Sequence, residues 1–101
     1  MFGKLAEAQQ KAEEIKSRLA LITVEGIAGN GTVTVTANGN KTVTNISISD
    51  SLLQPGKKEE LEDLLLVAIE RAFQQAENVS AAEMKSLMGN MMPGLGSLFG
   101  K

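Results

Sequence analysis

GTVTVTANGNKTVTNISIS, residues Gly31–Ser49, organises the rest of the chain around it. Its β-branched and polar residues alternate on both sides of Asn38-Gly39, a dipeptide suited to a tight type I′ turn. That pattern predicts a hairpin with one buried and one wet face. Upstream, Ile22 and Val24 alternate with Thr23 and Glu25 before GIAGNG (Gly26–Gly31) supplies turn residues. A turn at Gly29-Asn30 puts Ile22 and Val24 on one face with Val33, Val35, Ala37, Ile46 and Ile48. The other face carries Thr23, Thr32, Thr34, Thr36, Asn45 and Ser47; Val43 and Ile27 fall on it as exceptions, for which contact with a partner is one reason. The expectation is a three-stranded antiparallel meander, strands at about 21–28, 31–38 and 41–49. The glycines of GIAGNG lie between two strands, whereas a phosphate-cradling loop joins a strand to a helix, so that reading is set aside.

Both flanks read as helix. Leu5, Ala8, Ala12, Ile15, Leu19 and Ile22 recur at heptad-like spacing on a helix over about residues 3–20. Such a seam suits either an amphipathic helix lying on its own sheet or one packed against a partner helix, and Leu5, Ala8, Ala12, Ile15 and Leu19 are its dimer-interface candidates. Glu7, Lys11, Glu14 and Arg18 form a ladder of alternating sign, and Lys4, Lys11 and Arg18 a basic row; a solvated salt-bridge face is the simpler account of both. Asp50–Leu53 suits a single turn capped by Asp50 and ended by Pro55-Gly56.

A second helix is expected over about 57–78, with possible extension to 88, because Ser80 and Glu83 have capping-box spacing that can start a fresh segment near Ala81. Glu59, Glu60, Glu62 and Asp63 crowd its first turns, where carboxylates complement the helix dipole. Its stripe of Leu61, Leu64, Leu65, Ala68, Ile69, Ala72, Phe73 and Ala76, widened by Leu66 and Val67, is broad enough to require more than one neighbouring surface. The chain thus divides into a single α-β-β-β-α domain over 1–88 and a flexible Gly/Met/Pro-containing tail over 89–101. The fold class is α+β.

The totals narrow the function. A chain of 101 residues, 43% apolar and 22% charged, is one globular domain. With no Cys and no His, disulfides, thiolate ligands and the commonest base and metal ligand are excluded. No catalytic constellation remains, and neither a metal, a cofactor nor a small-molecule substrate is expected. No signal peptide or bilayer-spanning run is seen, so no membrane partner is expected and a cytoplasmic location is the default. A net charge of −2 offers no bulk attraction for nucleic acid, so DNA contact would depend on local basic rows. A helix of about 22 residues is about 33 Å long. Three strands span only roughly 14 Å. Apolar surface on both helices is therefore left over, and a C2 dimer is the economical way to cover it.

The residues also carry a resemblance. Met1-Phe2-Gly3-Lys4 and Ala8-Gln9-Gln10, then Val24-Glu25-Gly26, Ala28-Gly29-Asn30-Gly31, Val33-Thr34-Val35 and Asn38-Gly39 follow in the order seen in the YbaB/EbfC family of nucleoid-associated DNA-binding proteins. Ile46-Ser47-Ile48, Ser51-Leu52-Leu53, Glu60-Leu61-Glu62-Asp63-Leu64, Met84, Leu87 and Met92-Pro93-Gly94-Leu95 continue the likeness over nearly the whole chain. The resemblance implies a nucleoid-associated homodimer whose helices project as tweezer-like arms and bind duplex DNA with limited sequence preference. It points to Lys4, Lys11, Lys16 and Arg18 of the first helix and Lys85 of the last as DNA-binding residues. Three departures stand out: Ala6-Glu7 where the family often has Lys, Ser49-Asp50-Ser51-Leu52-Leu53 without the usual Pro, and Glu70-Arg71 in place of Asn-Asp. The first removes positive charge from the helix expected to meet DNA. The alternative function is a dimeric protein–protein interaction module docking partners through its apolar tail and second helix.

Overall fold

The structure, a computed structural model, describes the backbone of residues 2–91 and the side chains of residues 6–87. Helix α1 (Phe2–Ala20) leads into strands β1 (Thr23–Ala28), β2 (Val33–Asn38) and β3 (Val43–Ile48), a 3-10 turn (Asp50–Leu53) and helix α2 (Lys58–Met91). The sheet is antiparallel in the order β1-β2-β3.

The alternation places the faces as expected. Val24, Gly26 and Ala28 pair with Ala37, Val35 and Val33, and Val33 and Val35 pair onward with Ile48 and Ile46. Residues directly opposite each other share a face, and Val33, Val35 and Ala37 on this one are fully buried. Ala68 and Ala72 of α2 close over them, with Leu52 of the 3-10 turn completing the cluster. The strands are shorter than expected, because the turns consume residues at each end. Ile22 lies before β1 rather than in it.

The turns differ from the expectation. Left-handed backbone occurs at Asn30 and Gly31, the central residues of a turn closed by the Thr32 amide donating to the Gly29 carbonyl at 3.1 Å. The type I′ sign of φ therefore belongs to Asn30-Gly31, not to Asn38-Gly39. The second connection is a wider loop: Asn38 Oδ1 accepts from the amides of Asn40 and Thr42, and the left-handed residue is Lys41. Gly39 is there for space. A Cβ on it would come within 2.9 Å of the Leu19 carbonyl oxygen and side chain.

That loop ties down α1. The Gly39 amide donates to the Leu19 carbonyl at 2.9 Å, and Asn40 Nδ2 donates to the Lys16 carbonyl at 2.9 Å. Carbonyls in the last turn of a helix lack intrahelical donors, and here the β2–β3 loop supplies them. The 3-10 turn is capped by Ser49, whose hydroxyl accepts from the Ser51 amide, rather than by Asp50. In β3 a bulge shifts the register so that Val43 faces Ala37. Val43 thus joins the face that α2 covers, correcting its expected place on the polar side.

Helix α2 runs unbroken for 34 residues, through the expected break near Ala81 and through Gly89–Met91 of the expected tail. Ser80 is no cap here, since the upstream helix already satisfies its backbone, and Glu83 instead bonds Arg18. Residues 92–101 of that tail lie outside the described residues. At 1.5 Å per residue α2 is about 51 Å long. The strands, at six residues, reach about 20 Å. More than half of α2 therefore overshoots the sheet. Helix α1 packs along this overhang and not across its own sheet. The result is a molecule 62 Å in its longest dimension, with a two-helix arm projecting from a sheet-and-helix body.

Candidate nucleic-acid interface

The arm carries the five basic residues expected to contact DNA, but the structure divides them. Arg18 Nη1 sits 3.0 Å from Glu83 Oε1, joining α1 to α2. Lys11 is half-buried and flanks an apolar groove between α1 and α2, with Ala8, Ala12, Ile15, Met84 and Leu87. Both residues therefore face the partner helix. Lys16 is exposed and stands about 160° around α1 from Arg18, since two residues turn a helix by about 200°. Lys85, also exposed, is offset equally from Glu83 on α2 and so points away from α1. Neither takes part in an ion pair among the described residues. Lys4 belongs to α1 by its backbone, and its side chain lies outside the described residues, as does that of Leu5.

The dimer-interface candidates are also divided. Ile15 and Leu19 are buried, at 6% and 5% exposure, by residues of their own chain. That part of the seam is already partnered. Ala8 and Ala12 remain exposed along the arm groove.

The electrostatics of the arm are mixed. Glu7, Glu13 and Glu14 share α1 with the lysines, and Glu77 of α2 is bonded to Lys41 at the base of the arm. Exposed pairs of this kind contribute at most about 1 kcal/mol each. The acidic cluster Glu59, Glu60, Glu62 and Asp63 lies at the start of α2, at least about 33 Å along the helix from Lys85. Several Debye lengths separate the two at physiological salt. Much of the negative charge is thus remote from the arm.

Two features of the sheet edges were not read from the sequence. On β1, Arg71 Nη1 donates to the Ile27 carbonyl at 2.6 Å, so a guanidinium from α2 occupies that edge. Strand β3 has no such cover among the described residues. Its six residues, VTNISI, carry no charge, and Val43 and Ile46, on the sheet face that α2 covers at β1 and β2, are still 38% and 44% exposed. Leu53 and Leu66 are exposed as well. The lack of charge in β3 was visible in the sequence. That β3 is an open edge follows from the sheet order.

Comparison with known proteins follows the same outline. The model of the YbaB/EbfC DNA-binding family matches residues 1–91. A protein of Flavobacterium johnsoniae named "Nucleoid-associated protein" is 37% identical over 102 residues, covering 98% of this chain and 94% of that protein. One of the same name from Beijerinckia indica is 39% identical over 94 residues, covering 90% of this chain and 93% of that protein. In fold, the chain is similar to a crystal structure of an uncharacterized protein from Helicobacter pylori, with a TM-score of 0.71 at 24% identity, over 89% of this chain and 90% of that one. The family match across arm, sheet and α2 supports one conclusion: the chain belongs to the YbaB/EbfC DNA-binding family.

Proposed function

We propose that the chain binds duplex DNA as a homodimer, with limited sequence preference, through the arms built from α1 and the distal half of α2, and so acts on the nucleoid in the cytoplasm. The observation that carries this reading is the family match, which spans the whole projecting arm. With no Trp or Tyr and three Phe, the chain has little to stack on unpaired bases, which favours contact with the duplex backbone. Lys16 and Lys85, exposed on the outer sides of the arm, are the best-placed phosphate contacts. Lys11 and Arg18, turned toward α2, are secondary, and Lys4 remains a candidate whose side chain lies outside the described residues. No helix among the described residues is long and apolar enough to cross a membrane.

The β3 edge supports the second copy. Free edge strands pair readily, and proteins usually blunt them with charge or cover. Arg71 does this at β1 and nothing among the described residues does it at β3. Two copies related by a two-fold axis can align their uncharged β3 strands and bury Val43 and Ile46. Ile46→Lys is accordingly expected to give a monomer at tens of micromolar by light scattering where the parent is a dimer. A dimer that survives this change places the interface elsewhere, on Ala8 and Ala12 of the arm.

A mobility-shift titration with a duplex of mixed sequence, at two salt concentrations, tests the DNA reading. A shift that weakens steeply with salt is expected. Absence of any shift at low salt with micromolar protein overturns it.

A further inference from the structure

Among the described side chains of α1, Arg18 is the one base held in an ion pair, and its holder stands on the other helix of the arm. Arg18 Nη1 donates to Glu83 Oε1 at 3.0 Å. The Arg18 side chain is 59% exposed and that of Glu83 25%, so the guanidinium is open to an approaching anion while already bound to one. Carboxylate and phosphate oxygens suit the guanidinium fork equally in geometry, and each takes it through charge-assisted bonds. A DNA phosphate that approaches Arg18 therefore meets a neutralised pair and must displace Glu83 to gain the charge.

The pair divides the arm by flank. Lys16 stands about 160° around α1 from Arg18, so the two bases lie on opposite sides of the helix. Lys16 is exposed and takes part in no ion pair among the described residues. On the other flank Lys11 is half-buried beside the apolar groove and Arg18 is bonded to Glu83. One flank of α1 thus offers a free cation and the other a masked one.

We infer that Glu83 is an internal competitor of phosphate: by holding Arg18 it keeps the Lys11–Arg18 flank of the arm from DNA and confines contact to the Lys16 side. This rests on the DNA reading proposed above. Loss of Glu83 leaves the arm folded, because an exposed pair adds little stability and the buried Ile15 and Leu19 still anchor α1.

The test compares full-length Glu83→Ala with Glu14→Ala. The control removes the same charge from the same arm, four residues before Arg18, and breaks no ion pair among the described residues. On a heparin column Glu83→Ala is expected to elute at higher salt than Glu14→Ala. Glu83→Gln, which keeps a neutral acceptor for Arg18, is expected between Glu83→Ala and the parent. With duplex DNA, the slope of log K against log salt is expected to steepen by about 0.9 for each Arg18 released, up to about 1.8 in the proposed dimer. Adding Arg18→Gln to Glu83→Ala is expected to remove the gain, whereas an arm that had only loosened would keep it. Equal elution of Glu83→Ala and Glu14→Ala, or a gain that persists without Arg18, overturns the inference. A parent that shifts no duplex overturns the DNA reading instead, and the heparin order still decides whether Glu83 holds Arg18 back from anions.

Discussion

Replacing Gly26 with alanine is expected to cost about 3 kcal/mol, the upper part of the range for forcing extra volume into a packed core. For a domain of this size, that lowers the melting temperature by on the order of 15 °C. The cause is the closeness of α2 to β1. A Cβ on Gly26 would come within 3.0 Å of the Ala72 Cα and would overlap the Ala68 carbonyl oxygen and the Ala72 amide nitrogen. These are backbone atoms of a long helix, so no rotamer change relieves the clash. The helix must lift as a whole, and lifting it uncovers Val33, Val35 and Ala37, which are fully buried beneath it. Gly56→Ala is the control. Its Cβ meets nothing within 4 Å, and its cost is confined to a backbone at φ +86°, about 1–2 kcal/mol. Denaturant melts of both variants at one protein concentration measure the difference. Equal losses would mean that α2 does not approach β1 this closely.

The second large effect concerns the salt dependence of DNA binding. Lys16→Ala combined with Lys85→Ala removes up to four phosphate contacts from the proposed dimer. The slope of log K against log salt is then expected to flatten by up to about 3.6, at roughly 0.9 per contact. Lys41→Ala is expected to change the slope little, because that ammonium is already bonded to Glu77. Since Arg18 is held by Glu83 and Lys11 is half-buried, substituting either is expected to have a smaller effect than substituting Lys16 or Lys85. An unchanged slope in the double variant moves the interface off the outer sides of the arm.

The candidate interface was only partly legible in the sequence. The residues that bring it together are far apart along the chain: Arg18 and Glu83 are 65 residues apart, Asn40 and Lys16 are 24 apart, and Arg71 and Ile27 are 44 apart. A period-7 row of bases shows that Lys4, Lys11 and Arg18 share one side of α1. It does not show that Lys11 and Arg18 turn toward α2. The seam of α1 was open to either cover for the same reason: periodicity reveals an apolar stripe and is silent on which surface covers it, and Ile15 and Leu19 are buried by their own chain.

Pattern along the chain settles local structure. Alternation along β1 and β2 assigned their buried and wet faces, because successive strand residues point to opposite sides. The 3.6-residue period, the acidic first turn and the long apolar stripe located α2 in the same way. Where these pieces lie relative to one another was set by packing between distant segments. It set α1 along the overhang of α2, returned Val43 to the covered face through a bulge, occupied the β1 edge with Arg71 and left β3 uncovered among the described residues. It also separated Lys11 and Arg18 from Lys16 and Lys85. The physical reason is that pattern and propensity act over a few residues, whereas the direction of a helix and the cover of an edge depend on which distant surfaces fit together.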